Sequence, residues 1–209
     1  PAIIGLCEIE NRKVLYDLVS NTPLVKFEYQ IIHKESPDRR GIDVGFLYRE
    51  ELFKPLSEEF LAINFPINPE SKTRDILYVK GIANNIDTLH IFVNHWPSRW
   101  GGQLESEDRR VFVASVLKSK IDSIFKSNPA SNIIVTGDFN DYPDNKSIYE
   151  VLGAKQNFDT LNKNELYNLS SNLEKTENIS SHKYQGEWGV LDQFMVSGIL
   201  LKSNNIITT

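Results

Sequence analysis

The chain has 209 residues, of which 40% are hydrophobic and 24% charged, a composition typical of one large globular domain with a sizeable core. No apolar run approaches the roughly 20 residues that cross a bilayer, and the N-terminal residues predict no signal peptide. The net charge of -5 argues against a protein that coats nucleic acid tightly, but not against an enzyme that meets a phosphodiester through a local basic patch. Cys7 is the only cysteine, which excludes an internal disulfide and a thiolate zinc site.

Hydrophobic periodicity predicts alternating strands and helices in the first half of the chain. A helix is expected from Asn11 to about Ser20, with Pro23 ending it. The predicted strands cover 2–8, 27–33, 42–48, 75–82 and 88–96, the last two joined as a hairpin around residues 84–85. Residues 51–74 contain three prolines and many polar residues, so they are expected to form irregular surface structure.

The second half continues the alternation. A long helix is predicted from Glu107 to Phe125 with Ser106 as its N-cap. A strand at 132–138, a short helix near 146–152, a polar region at 155–181 and a last strand at 190–196 follow. Strands alternate with helices but a hairpin is present, which favours an α/β protein with mixed sheets.

The segment from 132 to 141 carries the strongest chemical signal. An apolar strand ends at Gly137 and is followed by Asp138 and Asn140. In extended geometry the two side chains project to the same side, where one can hold or deprotonate a water and the other can face an anionic oxygen. This pairing suits hydrolysis of a phosphate ester. The alternative is an ordinary polar turn, since Gly, Asp and Asn dominate turns.

Three further apolar strands end in polar residues of catalytic type. Glu8 is a candidate ligand for Mg²⁺, or a surface glutamate beside the following helix. His95 can donate to a phosphoryl oxygen or protonate a leaving group, with Asn94 and Arg99 as candidate phosphate-binding residues; the alternative is a structural histidine. Asp192 interrupts an apolar strand and is expected to need a histidine, a metal or backbone donors.

In this order, the segments GLCEIEN, NHWPSRWGG, TGDFND and GVLDQFMVS resemble the endonuclease/exonuclease/phosphatase superfamily. That superfamily includes pancreatic-type deoxyribonucleases, apurinic endonucleases, sphingomyelinases and inositol polyphosphate 5-phosphatases. The resemblance runs from about residue 1 to 198. It implies a four-layer α/β sandwich, in which two mixed β-sheets lie face to face with helices outside, formed by residues 1–209 as a single domain.

The resemblance also implies roles. Glu8 matches the metal-binding glutamate, with Mg²⁺, Mn²⁺ or Ca²⁺ as the ion, and His95 falls where a phosphate-contacting or acid histidine is expected. Asp138 matches the aspartate that orients or deprotonates the attacking water. Asn140 matches the asparagine that steadies the pentacovalent phosphate, and Asp192 the aspartate that pairs with the catalytic histidine.

Two elements of the family pattern are not found in this sequence: a first strand with a metal-site asparagine, and a C-terminal Ser-Asp-His motif. We therefore expect a fragment of a longer polypeptide, incomplete at both ends.

The leading hypothesis is a divalent-metal-dependent phosphodiester hydrolase, specifically a nuclease, with nucleic acid or another phosphoester as substrate and with no obligate protein partner. The alternatives are a phosphatase or phosphodiesterase acting on phosphoinositides, sphingolipids or small phosphoesters, and a non-catalytic binding module on the same fold. The sequence does not indicate a cellular compartment.

Overall fold

The computed structural model describes residues 1–84, 87–173, 180–184 and 186–202. The chain divides into two compact units, Pro1–His95 and Trp96–Thr209, called here the first and the second unit. The strands of the first unit are β1 (Ile3–Ile9), β2 (Gln30–His33), β3 (Asp43–Tyr48), β4 (Phe53–Leu61), β5 (Ile76–Ala83) and β6 (Asp87–His95). Those of the second unit are β7 (Asn132–Asp138), β8 (Leu166–Asn168), β9 (His182–Tyr184), β10 (Glu187–Gly189) and β11 (Asp192–Ser197).

Helix α1 (Arg12–Ser20) covers a three-stranded antiparallel sheet in the order β1-β3-β2. Asn11 caps the helix, since its side chain accepts a hydrogen bond from the backbone N–H of Val14 at 3.1 Å. The helix and the sheet share a buried apolar cluster of Ile9, Leu15, Val19, Tyr29 and Leu47. Burial of such side chains contributes roughly 1.5–3 kcal/mol each, which holds the helix against the sheet.

The other strands of the first unit form an antiparallel meander, β4-β5-β6, which faces the three-stranded sheet. The rings of Phe46 and Phe53 meet edge to face between the two layers, with centroids 5.8 Å apart. The Cys7 thiol also donates to the backbone carbonyl of Asn94 at 3.2 Å. The end of β1 therefore lies against the end of β6. The predicted pairing of the strands near 75–82 and 88–96 is confirmed, and residue 85 of its turn lies outside the described residues.

The prediction of irregular structure for residues 51–74 is wrong in its first half, because eight of the nine residues of β4 pair with β5. Pro55 lies beside a register irregularity between Pro55 and Ser57, where a missing N–H donor is tolerated. Most side chains of β4 are exposed. The alternation that identifies a half-buried strand is therefore weak in this segment.

Helix α2 (Gln103–Ser127) begins four residues before the predicted start and has Gly102, not Ser106, at its N-cap. Ser106 instead lies buried within the first turns, where its hydroxyl donates to the Gly102 carbonyl at 2.6 Å. Buried residues at helical spacing form an apolar stripe along α2, which includes Ala114, Leu117, Ile121 and Ile124. This face packs against a short π-helical turn at Ser147–Leu152.

The second unit pairs its strands in the antiparallel order β7-β11-β8. A short helix, α3 (Gly198–Lys202), follows β11 directly. Strands β9 and β10 form a separate two-stranded hairpin. None of the helices described is both long and apolar enough to span a membrane.

Candidate functional site

Strand β7 ends in a turn that fixes Asn140 against Asp138. Gly137 adopts φ +130°, which side chains rarely allow, and Asn140 adopts φ +51° in the left-handed region. The Asn140 backbone N–H donates to Asp138 Oδ1 at 2.8 Å, and its side-chain amide donates to Asp138 Oδ2 at 3.3 Å and to the Trp96 carbonyl at 3.0 Å. Asparagine adopts the left-handed region more readily than most non-glycine residues, which suits it to this turn. The structure thus brings these two predicted residues together in one fixed arrangement.

Asp192 lies directly across from Asp138 in the antiparallel pairing of β11 with β7. Side chains opposite each other lie on the same face of the sheet, and like charges in that position are destabilising. Asp192 is exposed at the first position of β11, so the expectation that it interrupts a buried strand is wrong. Within the described residues its carboxylate has no hydrogen-bond or ion-pair partner. Two facing carboxylates of this kind fit a site that receives a divalent cation or a cationic group.

Replacing Asp192 with Asn is expected to stabilise the fold by roughly 0.2–1 kcal/mol, because it removes the repulsion between facing carboxylates. The measurement is the free energy of urea unfolding at low salt without divalent ions. Asp159→Asn, at an exposed acid of the same unit, serves as the control and should have little effect. A destabilised Asp192→Asn protein would contradict the assignment of repulsion at this pair.

The side chain of Arg99 stabilises the turn that follows β7. Its Nε donates to the Asn140 carbonyl at 2.7 Å, and its Nη2 donates to Asn145 Oδ1 at 2.9 Å. The guanidinium also lies over the Tyr142 ring, 4.1 Å from the centroid. Gly189 at the end of β10 packs against the same Tyr142 ring. A Cβ at this position would lie 2.4 Å from the ring, so only glycine allows β10 to approach Tyr142 this closely. These contacts favour a positioning role for Arg99, alongside its predicted contact with phosphate.

A buried ion pair under the turn was not expected from the sequence. Arg110 and Asp141 are fully buried, with Nε and Oδ1 2.8 Å apart. Asp141 Oδ2 also accepts from the Ser147 hydroxyl at 2.5 Å, and Gln193 donates to the Asp141 carbonyl at 2.6 Å. Arg110 continues the apolar stripe of α2 one turn toward its start. A charged residue in a stripe position is the signal that could have predicted a buried partner.

In the first unit, Glu8 occupies the irregular end of β1. Its φ is +58°, and the pairing with β3 shifts register between Leu6 and Ile9. The carboxylate is exposed and has no hydrogen-bond or ion-pair partner in the part of the chain that the structure describes. A strained backbone that presents an unengaged carboxylate fits the predicted role of a ligand for Mg²⁺.

His95 ends β6 and is buried, unlike Glu8. Burial, together with the positive charges of Arg74 and Arg40, lowers the pKa of His95 to about 3 against the opposing effect of Asp38. His95 is therefore a neutral imidazole near pH 7, able to donate one hydrogen bond and accept another. Asn94 is fully buried beside it, and its amide contacts the Phe92 carbonyl at 3.4 Å.

The depressed pKa of His95 predicts a pH-dependent stability. Between pH 6.5 and 3 the unfolded chain binds a proton that the folded protein excludes, so stability falls as the pH falls, by at most about 1.4 kcal/mol per pH unit from this group. The free energy of unfolding should therefore decrease more steeply from pH 7.5 to pH 4.5 in the wild type than in His95→Gln. Parallel slopes in the two proteins would contradict the neutral, buried imidazole.

His33, Glu35 and Asp43 also lie close together, with ligand atoms within 4.8 Å of one another, and they could hold a metal ion. His33 Nε2 and Asp43 Oδ2 are already 3.0 Å apart, with both side chains almost fully buried. Asp43 Oδ1 accepts from the Ser36 N–H at 2.7 Å. As the structure stands, the pair anchors the loop between β2 and β3.

A family model described as the Endonuclease/Exonuclease/phosphatase family matches residues 1–208. A search of curated proteins gives no match. Among solved structures, the human Nocturnin catalytic domain with bound sulfate is similar, with a TM-score of 0.68 and 18% identity over 94% of this chain and 69% of that one. ANGEL2, a 2′,3′-cyclic phosphatase, gives a TM-score of 0.67 with 14% identity over 94% of this chain and 69% of the other. TDP2 from D. rerio, complexed with a single-strand DNA product, gives 0.62 with 15% identity over 94% and 71%.

Structural likeness at such low identity shows the fold alone. It confirms the predicted α/β fold class over nearly the whole chain. The roles of individual side chains rest on the local geometry described above.

Proposed function

The chain belongs to the endonuclease/exonuclease/phosphatase family, and from this premise we propose that it is a divalent-metal-dependent phosphodiester hydrolase acting on nucleic acid. One observation carries the proposal. Asp138 faces Asp192 across two paired strands, and the same Asp138 fixes a buried Asn140 in a left-handed backbone conformation. Facing carboxylates repel each other unless a cation or a hydrogen-bond donor lies between them, which favours a functional site over an ordinary turn.

In this proposal Asp138 aligns a water and accepts its proton as the water oxygen attacks phosphorus and the ester P–O bond breaks. Asn140 donates to an oxygen of the pentacovalent phosphate by exchanging its long 3.3 Å bond to Asp138 Oδ2 for that oxygen, while its bond to the Trp96 carbonyl holds the amide in place. Neutral His95 donates a hydrogen bond to a phosphate oxygen or to the leaving oxygen, and solvent water supplies the proton that the leaving oxygen takes up. Glu8 would hold Mg²⁺, Mn²⁺ or Ca²⁺, which supplies charge neutralisation at the phosphate. Asp192 would accept a hydrogen bond from the family's catalytic histidine and orient it; the Ser-Asp-His motif that carries this histidine is not found in this sequence.

Nucleic acid is favoured over smaller esters by the β9-β10 hairpin. Trp188 is 58% exposed there, and Lys183 Nζ lies 4.4 Å from the centroid of its ring. An exposed aromatic ring beside a cation suits the stacking of a nucleobase next to a phosphate. The single-strand DNA product held by the similar TDP2 structure agrees with this choice.

A substrate panel tests the proposal. It contains single-stranded DNA, plasmid DNA, RNA, phospholipid headgroups and small phosphomonoesters, each assayed with Mg²⁺ and with EDTA. We expect Mg²⁺-dependent cleavage of a nucleic acid, and Trp188→Ala should slow that cleavage more than Tyr149→Ala, which removes another exposed aromatic ring of the second unit. Preferential turnover of a headgroup or a small ester would shift the proposal to the alternative substrates. If no ester is hydrolysed, the result would support the alternative hypothesis of a non-catalytic binding module.

A further inference from the structure

The loop between β2 and β3 is held rigid by its own hydrogen bonds. The Ser36 hydroxyl donates to the Ile42 carbonyl at 3.2 Å, and the Gly41 N–H donates to the Asp38 carbonyl at 3.0 Å. Both ends are tied to Asp43, which bonds the Ser36 N–H and the buried His33. A loop with this many internal bonds presents its remaining side chains in a fixed orientation.

Asp38 stands between two arginines of this region. Its Oδ2 accepts from Arg74 Nη1 at 2.8 Å, and its Oδ1 accepts from the Arg40 backbone N–H at 2.9 Å and from Arg40 Nε at 3.3 Å. Burial alone would raise the pKa of Asp38, but the bonds from Arg74 and Arg40 hold it below its ordinary value. Asp38 therefore stays ionised and fixes the direction of both guanidinium groups.

The two arginines differ in what they leave available. The side chain of Arg74 is 2% exposed, and its Nε donates to the His95 carbonyl at 3.1 Å. Arg74 therefore binds groups in the interior and is not accessible to a phosphate. The side chain of Arg40 is 52% exposed, and its two terminal nitrogens have no hydrogen-bond partner among the residues the structure describes. The guanidinium group of Arg40 is thus held in one direction by Asp38, while its two terminal nitrogens are available to bind a phosphate in a bidentate manner.

Arg40 lies close to the candidate functional residues of the first unit. Arg74 bonds both Asp38 and the His95 backbone carbonyl, so one buried side chain connects the loop that carries Arg40 with the end of β6. The loop and the start of β3 also carry Glu35 and Asp43, so the attraction for an anion comes from the exposed guanidinium of Arg40 itself. Such an exposed basic group is what a phosphodiester requires in a protein whose net charge is -5.

We propose that Arg40 binds a phosphate oxygen of the substrate, oriented by Asp38 and backed by Arg74, on the preformed loop between β2 and β3. The assignment rests on the proposed function for its substrate, but the site itself requires only an anionic phosphate. Arg39 provides the contrast: it is exposed, and its Nη2 reaches the Glu70 carbonyl at 3.3 Å instead of Asp38.

The test compares Arg40→Gln, Arg40→Lys and the matched control Arg39→Gln, after thermal unfolding has verified that each protein is folded. Two readouts are used: hydrolysis of bis(4-nitrophenyl) phosphate, and binding of inorganic phosphate followed by titration calorimetry. For Arg40→Gln we expect a KM for the diester and a Kd for phosphate that rise about tenfold to a hundredfold, with a smaller change in kcat. Arg40→Lys should recover part of the loss, and Arg39→Gln should stay within about twofold of the wild type.

The two readouts separate this inference from the proposed function. If the wild type hydrolyses no ester but binds phosphate in an Arg40-dependent manner, the proposed function fails and the phosphate site stands. If hydrolysis is present but Arg40→Gln behaves like Arg39→Gln in both readouts, the inference is overturned and the proposed function stands. A wild type that neither hydrolyses nor binds phosphate overturns both.

Discussion

Replacing Asp138 with Asn is expected to lower phosphodiester hydrolysis by about three orders of magnitude while the protein remains folded. The variant keeps the size of the side chain but removes the negative charge that accepts the water proton. It also places an amide next to the Asn140 amide, where the structure has an acceptor for that donor at 3.3 Å. The loss should therefore appear in kcat, with little change in KM, in steady-state kinetics at saturating Mg²⁺.

Asp144→Asn is the control for this experiment, since Asp144 is an exposed carboxylate in the same turn region. It should retain wild-type turnover. Asp138→Asn removes the repulsion from Asp192 and also the acceptor of the Asn140 amide, so its free energy of unfolding without divalent ions should stay within about 1 kcal/mol of the wild type. An active Asp138→Asn enzyme would remove the role assigned to this residue.

Replacing Arg110 with Met is expected to destabilise the fold by about 3–5 kcal/mol, because the buried Asp141 carboxylate loses the nearer of its two cations and keeps only Arg99, whose Nη2 lies 3.5 Å from Oδ1. Arg110 also donates to the Ser106 hydroxyl at 2.6 Å and to the Gln103 carbonyl at 2.9 Å, so the start of α2 loses two further bonds. Asp141 follows Asn140 directly, and hydrolysis should fall together with stability. The measurement is the free energy of urea unfolding.

Lys118→Ala provides the matched control for Arg110, on the same helix. Lys118 pairs with Asp122 at the surface, and such exposed pairs contribute about 0.3–0.5 kcal/mol. The paired replacement Arg110→Met with Asp141→Leu should cost clearly less than the sum of the two single changes, since no isolated charge remains buried. A loss below about 1 kcal/mol for Arg110→Met would contradict the account of this pair.

The strands that lead to Glu8, His95 and Asp138 can be predicted from the sequence, because each is a short apolar run followed directly by polar residues. Asp138 and Asn140 do meet, but the extended geometry predicted for them is wrong: β7 ends at Asp138, and a left-handed turn at Asn140 brings its N–H to the carboxylate. The same local reasoning fails for β4, where Pro55 and a mostly exposed set of side chains conceal a strand that only its partner β5 stabilises.

The buried polar contacts lie beyond local reasoning. The pairing of Arg110 with Asp141 joins residues 31 positions apart, and Arg74 bonds Asp38 across 36 positions. Hydrophobic periodicity does not indicate which acidic residue pairs with which arginine. The exposure of Asp192 at the edge of its strand depends equally on register, which tertiary contacts set. The catalytic roles of Glu8 and His95 remain predictions.

The decisive measurement is cleavage of single-stranded DNA by the wild type and by Asp138→Asn, with Mg²⁺ and after its removal by EDTA. We expect the wild type to cleave with Mg²⁺, to lose that activity in EDTA, and to regain it when Mg²⁺ is added back. With Mg²⁺ present, Asp138→Asn should cleave about a thousandfold more slowly. Equal cleavage by the two proteins, or cleavage that persists in EDTA, would contradict the proposed function.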